Sequence, residues 1–291
     1  MTRLGPMSPR LASSRSVFVV PLAAVLAAAL LASCSSASPD ASASRTPSES
    51  PVSAGPTPSP QAGSAEPEPE SSPAETEEAP PASPTPPAFD ATARSIDDPS
   101  SLWVVSDKLR PLDPVDYAPT DLVTPDVASQ NPPTLRAEVA AAVVEMFAAG
   151  EAEGAGAFQV QSAYRSYATQ VEVYDGWVAQ LGQVRADAQS ARPGFSEHQT
   201  GLALDISPVP LSCALQACFG DTPQGEWLAA NAWRFGFLLR YPADKVAVTG
   251  FTFEPWHFRY IGPELATEMH ETGVTTLEEF FGLPAAPDYA G

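Results

Sequence analysis

Two short stretches hold most of the side chains in this chain that could do metal chemistry. Ser196 to Asp205, SEHQTGLALD, carries His198, one of three histidines, with Asp205 seven positions later. About fifty residues downstream, Glu254-Pro255-Trp256-His257 sets a second carboxylate beside a second imidazole, among Phe251, Phe253, Phe258 and Tyr260. Two histidines and one carboxylate, with a fourth position open to water, make the ligand plan of a catalytic zinc site. Four candidate groups are present, so one carboxylate is left free as a general base for water attack. Neither stretch has the HExxH spacing of a helical zinc site, and another scaffold must bring the halves together. His198 and Asp205 would lie about 23 Å apart on an extended chain at ~3.3 Å per residue, whereas ligands of one zinc sit about 2 Å from it. The chain must therefore fold back between them, and Gln199-Thr200-Gly201 offers the turn. Asp205 then falls in an apolar, strand-like run, Leu202 to Ile206, where a carboxylate is costly unless paired or bound to a cation. Taken alone, the His198–Asp205 pair fits a strand with a polar outward face equally well; the second stretch favours the metal.

The elements that must position these groups can be read from periodicity. Leu135, Val139, Val143, Met146 and Phe147 recur at helical spacing and predict a helix over 134–149, with Thr134 as N-cap and Gly150 as its stop. Residues 158–162, FQVQS, alternate and predict a strand running into Ala163-Tyr164-Arg165-Ser166. Further helices are expected over 169–181, from Thr222-Pro223 to near Gly236, and over 263–271 and 276–281. Strands are expected over 237–241, 251–253 and 257–261. Strands and helices do not alternate regularly, so the fold class is α+β, a mostly antiparallel sheet with helices packed on it.

Delivery is written at the start of the chain. Arg3, Arg10 and Arg15 precede an apolar run from Val17 to Leu31, the pattern of a secretory signal and too short for a comfortable membrane span. It ends in Leu31-Ala32-Ser33-Cys34, which resembles a bacterial lipobox. Residues 1–34 are thus expected to be a lipoprotein signal with Cys34 as the lipidated residue, the alternative being an ordinary signal with an incidental cysteine. Residues 35–88 are Ser, Ala, Pro, Thr and Glu with almost no large apolar side chain. Such a segment cannot offset its ordering entropy and is expected to be a disordered linker. Fully extended it would reach on the order of 170 Å, and as a coil about 40 Å. An exported protein is expected, anchored on the outer face of the cell membrane with its domain reaching into the wall. The remaining residues, 89–291, suffice for one domain with a core.

That domain contains eleven Lys and Arg against twenty-seven Asp and Glu, which argues against nucleic acid as a partner; no protein partner is implied either. Its two cysteines, Cys213 and Cys218, are expected to form a local disulfide in an exported protein, worth about 2 kcal/mol for so short a loop.

SEHQTGLALD resembles the S-x-H-x-x-G-x-A-x-D signature, and EPWH the E-x-x-W-H signature, of VanY-like zinc D-alanyl-D-alanine carboxypeptidases. Those enzymes share the lysostaphin and hedgehog metal-binding fold. The similarity runs from about Trp103 to Gly262 and takes in SAYRSYATQ, FGFLLRYP and PLDPVDYAPTDLV. The resemblance implies one zinc held by His198, Asp205 and His257, with Glu254 as general base. It implies that Arg165 polarises the scissile carbonyl or binds a substrate carboxylate, and that Gln170, Ser196 and Trp256 line the substrate pocket. Without it, the alternative for Arg165 is a surface arginine after a strand. The implied substrates are peptidoglycan stem peptides, from which the C-terminal D-alanine is removed. An L,D-carboxypeptidase or endopeptidase on the same peptides, or a non-catalytic zinc or wall-binding lipoprotein, are the alternatives. An active-site-serine carboxypeptidase is excluded, because neither Lys108 nor Lys245 stands three residues after a serine. His270, in PELATEMHETG, reads as a helix-surface residue.

Overall fold

The structure, a computed structural model, describes residues 88–290. The expected signal over 1–34, with Cys34, and all but the last residue of the expected linker over 35–88 lie outside the described residues. Two short strands, β1 (Leu122–Val123) and β2 (Leu135–Arg136), pair antiparallel just ahead of helix α1 (Ala137–Ala152). Strand β3 (Ala157–Ser162) follows, then helices α2 (Tyr167–Leu181) and α3 (Gln183–Gln189) and strand β4 (Ala203–Val209). Helix α4 (Pro223–Asn231), strand β5 (Phe237–Leu239), helix α5 (Val246–Thr249) and strand β6 (His257–Tyr260) lead to the closing helices α6 (Pro263–Thr272) and α7 (Leu277–Phe280). The main sheet has the order β3-β4-β6-β5 and is antiparallel throughout, as the α+β reading expects.

Val139, Val143, Met146 and Phe147 of α1 join Phe158, Val160, Leu204 and Ile206 of the sheet in one core. The helix starts later than its periodicity suggests. Leu135 is drawn into β2, so the N-cap is Arg136, with no side-chain cap, and not Thr134. Gly150 does not stop the helix; it lies within it, where an added Cβ would meet the Phe158 ring at 2.5 Å. The glycine is there for close packing under the Phe147–Phe158 stack, a reason that helix-end statistics do not reveal. Ser166 caps α2 by accepting from the Thr169 N–H, and Thr222 caps α4 by accepting from the Gly225 N–H. The expected strand over 251–253 does not form: the Thr252 N–H donates to the Ala188 carbonyl, away from the sheet. Helix α3 and the β1–β2 pair are elements that periodicity did not announce, being too short to show it.

The two ends of the described chain meet. Phe89 packs on Trp103 and on Phe280, with ring centroids 5.5 and 5.8 Å apart. Cys213 and Cys218 are joined in a disulfide. His270 is exposed on α6 and stacks on Trp233, 3.9 Å between centroids.

Candidate active site

The register of the central strand pair sets up the site. Asp205 of β4 lies directly opposite His257 of β6, so residues fifty-two apart in sequence become cross-strand neighbours. His198 arrives by a tight turn: Glu197–Thr200 make one 3₁₀ turn, closed by Gly201 at φ +67°, a conformation that glycine adopts without strain. This is the fold-back that the His198–Asp205 spacing demands. His198 Nε2 then lies 3.4 Å from Asp205 Oδ2, and His257 Nδ1 lies 3.2 Å from Asp205 Oδ1. The two imidazoles meet edge to face with centroids 5.0 Å apart.

These contacts have the form of a metal site. The ligand atoms of His198, Asp205 and His257 all lie within 4.8 Å of one another, and all three residues are buried. Donors held about 2 Å from one tetrahedral ion are separated by roughly 3.3 Å, close to the spacings found. Asp205 Oδ1 is buried and, although near the His257 ring, has no aligned hydrogen-bond partner among the described residues. Each histidine uses its far nitrogen elsewhere: His198 Nδ1 donates to the Ala163 carbonyl at 2.8 Å, and His257 Nε2 to Glu197 Oε2 at 3.2 Å. That leaves His198 Nε2 and His257 Nδ1 turned to the common point, each ring oriented by an outer partner as in metal-binding histidines.

Glu197 was not singled out from the sequence, yet it organises the interior behind the site. Its side chain is fully buried and accepts from Arg240 Nε at 2.8 Å and Arg259 Nη1 at 2.9 Å as well as from His257. Arg240 continues to Glu278 of α7 through two bonds of 2.9 and 2.6 Å. Burial works against ionisation of Glu197, but the two guanidiniums prevail and hold its carboxyl below the usual range. The only sequence hint was an acid next to a histidine with two distant arginines, FLLRYP and HFRYIG.

The second carboxylate of the motif behaves differently. Glu254 is buried, with Oε2 3.8 Å from His257 Nδ1. Burial, reinforced by the negative charges of Asp205 and Glu197, raises its pKa to about 8 against the pull of His257 and Arg165. Burial would likewise raise Asp205, but His198 and His257 outweigh it and keep that carboxylate ionised. For His257, burial opposes charging, and the bonds to Asp205 and Glu197 overcome it, to about 9 in the metal-free protein; a bound cation displaces that proton. Two carboxylates in one site are thus pushed apart, one ionised as a ligand must be, the other poised to exchange a proton.

Arg165, half-buried, reaches the same cavity from the segment after β3, its backbone N–H donating to the His198 carbonyl. Its Nε is buried with no hydrogen-bond partner among the described residues, so it is not a surface arginine. The cavity, about 220 Å³, is also lined by Gln170, Ser196, Trp256, Tyr241 and Phe251. Gln170 lines the cavity but is bonded on one side only. Its amide nitrogen is engaged by the Ala191 carbonyl at 2.6 Å and Ser190 Oγ at 3.2 Å, and its buried Oε1 is unpaired. Flipping the amide would set two oxygens against each other, so the Ala191 carbonyl fixes its orientation, with Oε1 as the unpaired end. Besides Glu197, sequence reasoning did not anticipate Tyr241, whose ring packs 4.8 Å from that of His257.

Residues 132–263 match the family described as VanY, D-alanyl-D-alanine carboxypeptidase. The Bacillus subtilis protein YodJ is 39% identical over 192 residues, covering 64% of this chain and 69% of its own. Among solved structures, the LdcB LD-carboxypeptidase superposes with a TM-score of 0.58 at 38% identity, over 63% of this chain and 87% of that one. A vancomycin-resistance D,D-pentapeptidase VanY in complex with Zn(II) gives 0.53 at 31% identity, over 62% of this chain and 98% of that one. With the signature residues gathered at one buried cluster and relatives of this extent, the chain belongs to the VanY family of D-alanyl-D-alanine carboxypeptidases.

Proposed function

We propose that the protein is a zinc carboxypeptidase, with one ion per domain, that removes the C-terminal D-alanine from peptidoglycan stem peptides. The observation that carries this reading is one cavity in which a His198–Asp205–His257 cluster meets a buried, proton-exchanging Glu254 and the Arg165 guanidinium. Zinc held by His198, Asp205 and His257 would polarise the scissile carbonyl and make water nucleophilic near neutral pH. Glu254 accepts the proton of the attacking water on a carboxylate oxygen and hands it to the departing amine nitrogen. A pKa lifted by burial suits a group that must take a proton and then release it. Arg165 offers fixed positive charge to the oxygen that becomes negative, or to the terminal carboxylate. Glu197 holds His257 in the tautomer that faces the cluster.

Recognition of a free C-terminus needs donors in a strongly acidic domain. Arg165 and Ser196 are among the donors that line the cavity. Charge-assisted bonds contribute about 1.5–3 kcal/mol each, so kcat/KM on a stem peptide with a free terminal carboxylate exceeds that on its amide by at least ~10-fold. Arg165→Ala narrows the gap. Equal rates on acid and amide would replace the carboxypeptidase with an endopeptidase on the same site. The likeness to an L,D-carboxypeptidase supports a second reading, in which the tetrapeptide is the substrate. Digestion of pentapeptide and tetrapeptide in parallel, read by mass spectrometry, decides between the two.

The same proposal includes location. The apolar run ending in LASC supports lipidation at Cys34 and export to the outer face of the membrane, with the Pro-rich segment giving the domain reach into the wall. Cys34→Ala then yields unprocessed protein that no longer partitions as a lipoprotein; unchanged processing and membrane partition would refute the anchor.

A further inference from the structure

The disulfide loop has no part in the chemistry described above, yet it reaches the cavity. Leu215, between Cys213 and Cys218, is 46% exposed and lines the same space as Arg165 and Glu254; Trp177 of α2 is 37% exposed and lines it too. Apart from Gln189, the other lining residues are buried or half-buried. The rim is therefore apolar on two separate elements, above a floor that is charged and polar. Exposed Leu and Trp side chains at the rim of a cleft mark a place where a ligand's apolar surface is received.

The loop is built to hold Leu215 there. Its backbone φ is +51°, and that of Cys213 +49°, a region that side-chain-bearing residues occupy only when their surroundings impose it. The disulfide closes the loop around these two residues. The Gln216 N–H donates to the Cys213 carbonyl and the Phe219 N–H to the Gln216 carbonyl, and Phe219 is fully buried beneath. Strain maintained at a cavity rim by a covalent clasp is a cost that packing alone does not require.

We propose that Leu215, set by the Cys213–Cys218 clasp, and Trp177 form an apolar subsite that receives the linear aliphatic stem of the substrate residue preceding the two C-terminal alanines. This rests on the stem-peptide reading above. The stem of a long-chain diamino acid covers apolar surface while its polar end stays in water. Recognition is of the methylenes and not of the amine. A rim group of this kind, half open to water, discriminates by about 10-fold over the whole stem, the effect of roughly one fully desolvated methylene.

The test uses purified enzyme and four pentapeptides that differ at the third residue: lysyl, norleucyl, alanyl and 2,3-diaminopropionyl. Norleucine keeps the stem without the amine, and diaminopropionate the amine without the stem. The expected kcat/KM on lysyl and norleucyl peptides is similar and about 10-fold above that on the other two. In Leu215→Ser, an exposed position, that ratio falls to within twofold of unity, and so it does in the Cys213→Ser/Cys218→Ser double variant. Equal rates of the wild type on all four peptides overturn the subsite and leave the carboxypeptidase intact, whereas no turnover of any overturns the underlying reading. Preference for both amine-bearing peptides, or a Leu215→Ser enzyme that keeps the wild-type ratio, also refutes the proposal.

Discussion

Glu254→Gln is expected to keep its metal and lose turnover by at least ~10²-fold. The substitution is nearly isosteric, so the cavity keeps its shape, and the three atoms gathered on the common point, from His198, Asp205 and His257, are untouched. What disappears is, among the described residues, the one buried carboxyl in the cavity whose surroundings leave it free to exchange a proton. Metal content of the purified variant, read beside kcat, separates base from ligand. His198→Ala, Asp205→Ala and His257→Ala should lose metal as well as activity. Metal-free protein after the Glu254 change, with metal-replete protein after Asp205→Ala, would exchange the roles of the two carboxylates. A second consequence follows in the metal-free protein. A carboxyl raised from 4.5 to about 8 on folding costs stability as pH climbs from its unfolded value through that window. An amide has no such dependence, so metal-free Glu254→Gln should lose less stability than wild type between pH 5 and about pH 8 in denaturant titrations.

The outline of this site was legible because its chemistry lies in two compact motifs. Asp205, Glu254 and His257 stand out as polar groups inside apolar runs, and Gly201 announces the turn that returns His198 to Asp205. The pairing of Asp205 with His257 was not legible, since strand register depends on the whole sheet. Nor was Glu197, for its meaning comes from Arg240 and Arg259, which reach it from β5's end and β6. The Gln170 amide shows the same limit: only the Ala191 carbonyl tells which way it is turned. Gly150 and Thr134 misled because local statistics treat a glycine as an end and a threonine as a cap. In this fold Phe158 needs the glycine's missing side chain, and β2, paired with β1, takes the residues just before α1. Long-range packing overrides such signals wherever it supplies more free energy than a cap.

Glu197→Gln should destabilise the protein by about 3–5 kcal/mol and weaken metal binding by about 10- to 100-fold. The stability loss follows from what is left behind. Arg240 and Arg259 have side-chain exposures of 1% and 0%, and among the described residues Glu197 is the one carboxylate bonded to Arg259, whose other bonds are to the carbonyls of Leu102, Val104 and Tyr260. Removing the partner leaves a buried charge uncompensated. The metal effect follows from the His257 Nε2–Glu197 bond, which turns Nδ1 toward Asp205. Glu278→Gln supplies the control: it weakens the Arg240 fork at the far end of the network but leaves the Glu197–His257 bond in place. That variant should lose stability and retain wild-type metal affinity in chelator competition. The pH dependence has a definite sign. Because the Glu197 carboxyl is lowered on folding, its contribution is present above the usual carboxylate range, near 4.5, and is lost as the pH falls below it. The stability gap between wild type and Glu197→Gln should therefore be full at pH 7 and shrink on acidification. A gap that stays constant down to strongly acid pH would mean that Glu197 does not stabilise the fold as an ionised carboxylate. A Glu278→Gln variant whose metal affinity falls as far as that of Glu197→Gln would mean that Glu197 supports the fold without orienting His257.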